Sequence, residues 1–228
     1  MLEVTYLARI RSVKFRNEMD AILRKFKKEA IATLGENLVC LLHHGSRAKG
    51  EAHLESDYDV VIAVKTINET TFNSILNIVK PYPRLSIYLL SAQELETLPR
   101  AHLLQLVHAK PLYGKINVKK PTQDEVRQLM SHIRHDELDM VRHYLLHPHP
   151  MEKKVKYVYY GLKSAYLYLS YLVFSESGQL PKTRKQTIAH FKKAKTCKEG
   201  VRLLQILDKW SVHKAKVAEN PHPYMLLL

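Results

Sequence analysis

Two apolar runs separated by a short polar turn constrain this chain more than any other feature. Leu38-Val39-Cys40-Leu41-Leu42 and Val60-Val61-Ile62-Ala63-Val64 have strand length and β-branched content. Between them lie Gly45-Ser46-Arg47-Ala48-Lys49-Gly50 and then Ser56-Asp57-Tyr58-Asp59. Gly45-Ser46 closes the first strand, where a bare backbone can approach an anion. Residues 46–52 are expected to start a short helix whose free amide groups face that anion. Asp57 and Asp59 open the second strand, and a spacing of two puts both carboxylates on one face. Two carboxylates that close repel each other unless a cation lies between them. The stretch therefore reads as strand, phosphate-cradling turn, then divalent-metal clamp.

The flanking chain sorts into two halves. An amphipathic helix is expected over 12–34, capped by Ser12, with Phe15, Met19, Ile22, Leu23, Phe26, Ala30 and Leu34 on one face and Gly35 at its end. Its other face carries Arg16, Arg24, Lys25, Lys27 and Lys28, which are either solvated or laid over nucleic acid. His43 and His44 adjoin on a strand, so they point to opposite faces and do not share one metal. A helix from Asn68 to Val79 is expected to turn Phe72, Ile75, Leu76 and Val79 to one side. Pro81 and Pro83 precede a strand from Leu85 to Leu90, and Ser91 to Glu94 makes a capping box. A helical stretch to about Lys110 and a closing strand, Leu112-Tyr113-Gly114, follow.

Lys115 to Pro121 reads as a linker, and beyond it the pattern is helix only. Helices are expected from the Thr122/Glu125 capping box to about His147, over Met151–Ser175, over Lys182–Ala194 and over Lys198–Val217. The second is rich in tyrosine, at positions that either pack the helix or stack a ligand ring. The tail from Asn220 to Leu228 packs onto the core or onto a second subunit. The fold class is α+β: a small mixed β-sheet domain over 1–115, then an all-α helical bundle over 116–228, with a ligand cleft between them.

Net charge is +14 with a pI near 9.6, which favours polyanions: nucleotides, RNA, DNA or an anionic surface. The alternative is a solvated basic surface. The 13 histidines add positive charge below about pH 6.5. No run of 18 apolar residues occurs, so no membrane span is expected. The N-terminus lacks the features of a secretory signal, and two cysteines give neither a disulfide framework nor metal-ligand spacing. A cytoplasmic protein is the simplest reading.

The segment from Gly45 to Ile62 resembles the signature of the polymerase-β-like nucleotidyltransferase superfamily: Gly-Ser, a gap, then Asp-x-Asp. Gly-Ser-Arg-Ala and Ser-Asp-x-Asp look most like its minimal, kanamycin-type and antitoxin-type branches, over roughly residues 36 to 114. The resemblance implies Mg²⁺ or Mn²⁺ held by Asp57 and Asp59, and a nucleoside triphosphate, ATP or another, held by Gly45, Ser46, Arg47 and Lys49. It implies transfer of a nucleoside monophosphate, AMP from ATP, to a hydroxyl on a small molecule, a protein or RNA.

The family usually carries a third carboxylate on the neighbouring strand. By register it falls at about Ser86, and no acid occurs from Pro83 to Gln93. A weakly held second metal, a base from the helical half, or lost turnover would each account for this. In kanamycin-type enzymes a helical-half carboxylate can act as base. Glu137 is the corresponding catalytic candidate, with Asp136 and Asp139 beside it; a salt-bridged face with Arg134 and Arg142 is the alternative. The helical half resembles domains fused to, or encoded beside, such enzymes, one class of which carries an Arg-x4–6-His ribonuclease motif. Arg184 to His190 matches that spacing loosely. The alternative function is a nucleotide- or RNA-binding, antitoxin-like module with weak or no catalysis. A homo-oligomer is compatible with either.

Overall fold

The computed structural model describes residues 21–52, 56–116, 119–146 and 150–228, with side chains described outside 134–142 and 144–146. The fold is α+β. Four strands form one sheet in the order β3-β2-β1-β4. β1 (Leu38–His44) lies antiparallel to β2 (Tyr58–Val64) and to β4 (Lys110–Tyr113). β3 (Leu85–Ser91) runs parallel to β2, which makes the sheet mixed. That parallel step needs a crossover, and α3 (Glu69–Val79) provides it.

β2 is apolar at consecutive positions because both of its faces are covered: Val60 to Val64 are all fully buried. One face meets α1 (21–34), which inserts Leu23, Phe26, Ala30 and Leu34 against Leu41, Val60 and Ile62. Each fully buried side chain such as Phe26 or Ile62 contributes about 1.5–3 kcal/mol. Gly114, just after β4, has φ +59°, and a Cβ there would lie 2.2 Å from the Val39 carbonyl oxygen. Only glycine lets the end of β4 lie this close to β1. α2 (Gly45–Lys49) follows β1, and α4 (Ala92–Thr97) follows β3 from the expected capping box, in which Ser91 and Glu94 exchange hydrogen bonds.

Two compact units divide the chain. The sheet unit runs to Leu98 and adds Gln105–Val118; the helical unit comprises Pro99–Leu104 and Lys119–Leu228. In the helical unit, α6 (Met151–Ser177) feeds three apolar clusters. Tyr171 and Phe174 meet Val126 and Met130 of α5 (Gln123–Leu146). Leu169 and Val173 meet Phe191 of α7 (Arg184–Ala194) and Leu204 of α8 (Lys198–Asp208). Val155 and Val158 meet Trp210 and Val217 of α9 (Trp210–Glu219) and Met225 of α10 (His222–Met225). A helix with neighbours on so many sides has no single apolar stripe.

Three expectations change, and the tail takes one of its two expected places. α3 buries Thr71, Ile75 and Ile78, while Phe72 and Leu76 are exposed. The side chain of Asn37 donates to Thr71 Oγ1 at 3.1 Å and to the Thr66 carbonyl at 3.0 Å, so Thr71 is held inward and the helix turns accordingly. The expected helix before Lys110 is a 3₁₀ stretch, Arg100–Leu106, after Pro99. The helix expected over 198–217 breaks at Lys209 into α8 and α9, which brings both Trp210 and Val217 into one core. The tail closes onto its own unit: Leu227 and Leu228 pack on that core, and Leu228 covers Gly161.

Candidate active site

The end of β1 and the start of β2 bring the signature residues together. Strand pairing sets His44 opposite Asp59, and Asp59 opposite Ser86 of β3. Gly45 begins α2 with φ +74°, a region that side chains rarely adopt. A Cβ on Gly45 would lie 1.9 Å from Asp59 Oδ2 and 2.7 Å from its Cγ. The carboxylate of Asp59 therefore rests on the bare backbone of Gly45. Sequence reasoning assigned the glycine to an approaching phosphate; the structure adds a neighbour inside the protein. Asp57 is exposed one residue before β2, Asp59 is half-buried within it, and Ser46 is half-buried in the first turn of α2. α2 ends on Gly50, whose φ is +78°.

Arg47 is turned inward and is only 4% exposed. Its Nε donates to the Ser56 carbonyl at 2.7 Å and to the Asp57 carbonyl at 3.0 Å, and its Nη2 also donates to Ser56. The guanidinium lies over the Tyr58 ring, 4.4 Å from its centroid. Burial pulls the Arg47 pKa below its ordinary value and Arg84 adds to this, while Tyr58, Asp57 and Asp59 oppose it. Arg84 Nη2 donates to the same Ser56 carbonyl at 3.1 Å, and the Arg84 carbonyl accepts from Tyr58 N at 2.8 Å. Two guanidinium groups thus pin the backbone that carries Asp57. Sequence reasoning missed Arg84, whose only signal was its place at the head of the strand that faces Asp59. Lys49 is half-buried; burial lowers its pKa from the ordinary lysine value and Glu51 opposes the shift.

The two histidines differ in surroundings: His43 is buried and His44 half-buried. Burial first, then the charges of His43 and Lys49, lower the His44 pKa from 6.5 to about 4. The unfolded chain takes up this proton near pH 6.5 and the folded one near pH 4, so stability should fall as pH drops through that window. His44→Gln should flatten the fall, as followed by urea melts at stepped pH. NMR titration should show the His44 ring neutral at pH 5; a midpoint near 6.5 would contradict its burial.

Glu137, Asp136 and Asp139 lie on α5, and their side chains fall outside the described residues, as do those of Arg134 and Arg142. Arg184 is buried and ion-paired with Asp208 at 3.6 Å, and His190 bonds Glu176 at 2.8 Å, so both ends of the loose ribonuclease match have partners within the helical unit. Tyr159 packs on Trp210 with ring centroids 5.1 Å apart, and Tyr171 is buried, while Tyr160 is exposed. Among the described residues, no three or more His, Cys, Asp or Glu side chains gather as a metal cluster, and no helix is long and apolar enough to cross a membrane.

No protein-family model and no curated protein matches the chain. Among solved structures it is similar to spectinomycin adenyltransferase AAD(9) from Enterococcus faecialis, determined with ATP and spectinomycin. The likeness covers 82% of this chain and 87% of that one, with a TM-score of 0.55 and 14% identity. The chain shares the fold of that structure. A toxin–antitoxin structure with AMP-PNP also matches, over 52% of this chain and 98% of that one, at 17% identity; its TM-score of 0.30 is too low to imply a common fold.

Proposed function

We propose that the chain is a Mg²⁺- or Mn²⁺-dependent nucleotidyltransferase that moves a nucleoside monophosphate, AMP from ATP, to a hydroxyl acceptor on a small molecule, a protein or RNA. The observation that carries this reading is the Asp59 carboxylate seated on Gly45, at the strand end where Ser46 begins a turn and Asp57 lies two residues away. The donor set fits the ion: Mg²⁺ is bound by one or two carboxylates together with substrate phosphates. Asp57 and Asp59 would hold it, and once bound it offsets charge on the attacking and leaving oxygens.

The chain's own residues account for the rest. Gly45 and Ser46 amides and the Ser46 hydroxyl hold the outer phosphates, and Lys49 supplies positive charge to them. Arg47 and Arg84 keep the Asp57 backbone in place. The acceptor oxygen bonds to the α-phosphorus, the bond from that phosphorus to the bridging oxygen breaks, and pyrophosphate leaves with the electron pair. The acceptor proton passes to a base, for which the family resemblance suggests Glu137. The reading gives residues 1–115 to the nucleotide and 116–228 to the acceptor or partner. Two free cysteines, Cys40 and Cys197, suit a cytoplasmic location.

A second reading, a nucleotide- or RNA-binding module with weak or no catalysis, is favoured by one observation. Ser86 stands opposite Asp59, where a third carboxylate would complete the site. Calorimetry of ATP binding separates real metal ligation from a coincidence of acids. Mg²⁺ should strengthen ATP binding to the unaltered protein and have no such effect on Asp57→Asn/Asp59→Asn. Equal enhancement in both would remove these carboxylates from the metal site.

A further inference from the structure

We infer that the α7–α8 hairpin carries a binding site for single-stranded RNA, engaged through phosphate at a lysine-rimmed cavity. This goes beyond the transferase reading and does not rest on it. The charge of the chain is concentrated here. Residues 182–216 hold eleven lysines and arginines against two acids, Glu199 and Asp208, a net +9 of the chain's +14. Asp208 is ion-paired with the buried Arg184, and the other ten basic side chains of this segment are exposed.

Between α7 and α8 the surface opens into a cavity of about 440 Å³, within the roughly 300–1,000 Å³ of ordinary ligand sites. Lys192, Lys195 and Lys198 rim it, Thr196 lines it, and the buried Phe191 and Val201 close its apolar floor. Three ammonium groups around one concavity, with no acid among its lining residues, complement a phosphate-bearing ligand. A concavity of this size admits a splayed nucleotide unit of a single strand, as RNA recognition commonly requires. The Thr196 hydroxyl can bond a ribose 2′-hydroxyl, which favours RNA over DNA.

The backbone adds a second argument. Lys195 ends α7 with φ +56°, the left-handed position that glycine fills with least strain. The chain sets an exposed lysine there. Lys195→Gly thus removes the charge while suiting the backbone better, so loss of binding cannot be laid to misfolding.

The test is fluorescence anisotropy of the full chain with a labelled single-stranded RNA oligonucleotide over a salt series. The affinity should fall steeply with salt. Lys192→Ala/Lys195→Ala/Lys198→Ala should lower the log–log salt slope by about 2, and Lys195→Gly alone by about 0.7, at roughly 0.7 per phosphate contact on a single strand. Lys65→Ala/Lys80→Ala/Lys110→Ala, exposed lysines of the sheet unit, should leave the slope unchanged. Equal losses from both triple variants would assign binding to net charge alone and overturn the site. So would no RNA binding at low salt, equal affinity for a DNA strand of the same sequence, or tighter binding to phosphatidylserine vesicles.

Discussion

Gly45→Ala is expected to lose nucleotide binding altogether and about 2–4 kcal/mol of stability. The left-handed backbone at φ +74° alone costs an alanine about 1–2 kcal/mol. The larger effect is steric, because the new methyl falls on the Asp59 carboxylate, 1.9 Å from Oδ2. Either α2 or Asp59 must move, and both belong to the proposed site. Urea melts of the two single variants and the pair test the contact. Asp59→Ala removes the oxygen and Cγ, so Gly45→Ala/Asp59→Ala should be more stable than the sum of the singles predicts, by about 1–2 kcal/mol. Strict additivity would mean that Gly45 and Asp59 do not touch.

Arg47→Met should lose about 3 kcal/mol of stability together with most nucleotide transfer. The substitution removes hydrogen bonds from a buried charged donor, each worth about 1.5–3 kcal/mol, although Arg84 still reaches the Ser56 carbonyl. Arg47→Lys should not restore the loop, since an ammonium lacks the planar fork that reaches two carbonyls at once. Thermal melts and the ATP concentration dependence of transfer separate two roles. A lower Tm with lost transfer fits an arginine that positions Asp57. An unchanged Tm with a raised KM for ATP would instead make Arg47 a ligand of the triphosphate.

The sheet and its turn were legible because their signals are local. Leu38 to Leu42 and Val60 to Val64 are short and apolar, all but Val39 are buried, and a glycine-bearing turn separates them. The place of Ser86 was legible too, since a parallel neighbour with period two leaves little freedom; the register sets it opposite Asp59. What stayed hidden depends on contacts far apart in sequence. Arg84 meets Ser56 across 28 positions, and Asn37 turns α3 by holding Thr71 across 34. Nothing local distinguishes Phe72 and Leu76 from Ile75 and Ile78. The break at Lys209 was hidden for a similar reason: residues 198–217 have no proline or glycine at that point, and the turn is settled by Trp210 packing on Tyr159. The inward turn of Arg47 was equally unreadable, because a basic residue beside Gly-Ser suits a triphosphate as well as a loop carbonyl.

The most direct measurement follows the α-phosphate. The protein is incubated with Mg²⁺ and ATP labelled at the α or the γ position, in a cell extract that supplies acceptors. The α-label, and not the γ-label, should become attached to an acceptor with release of pyrophosphate, and Asp57→Asn should abolish it. Glu137→Gln should be slower by about 10²–10⁴-fold if that carboxylate takes the proton. Tight ATP binding with no α-label on any acceptor would contradict the transferase account and leave the binding module.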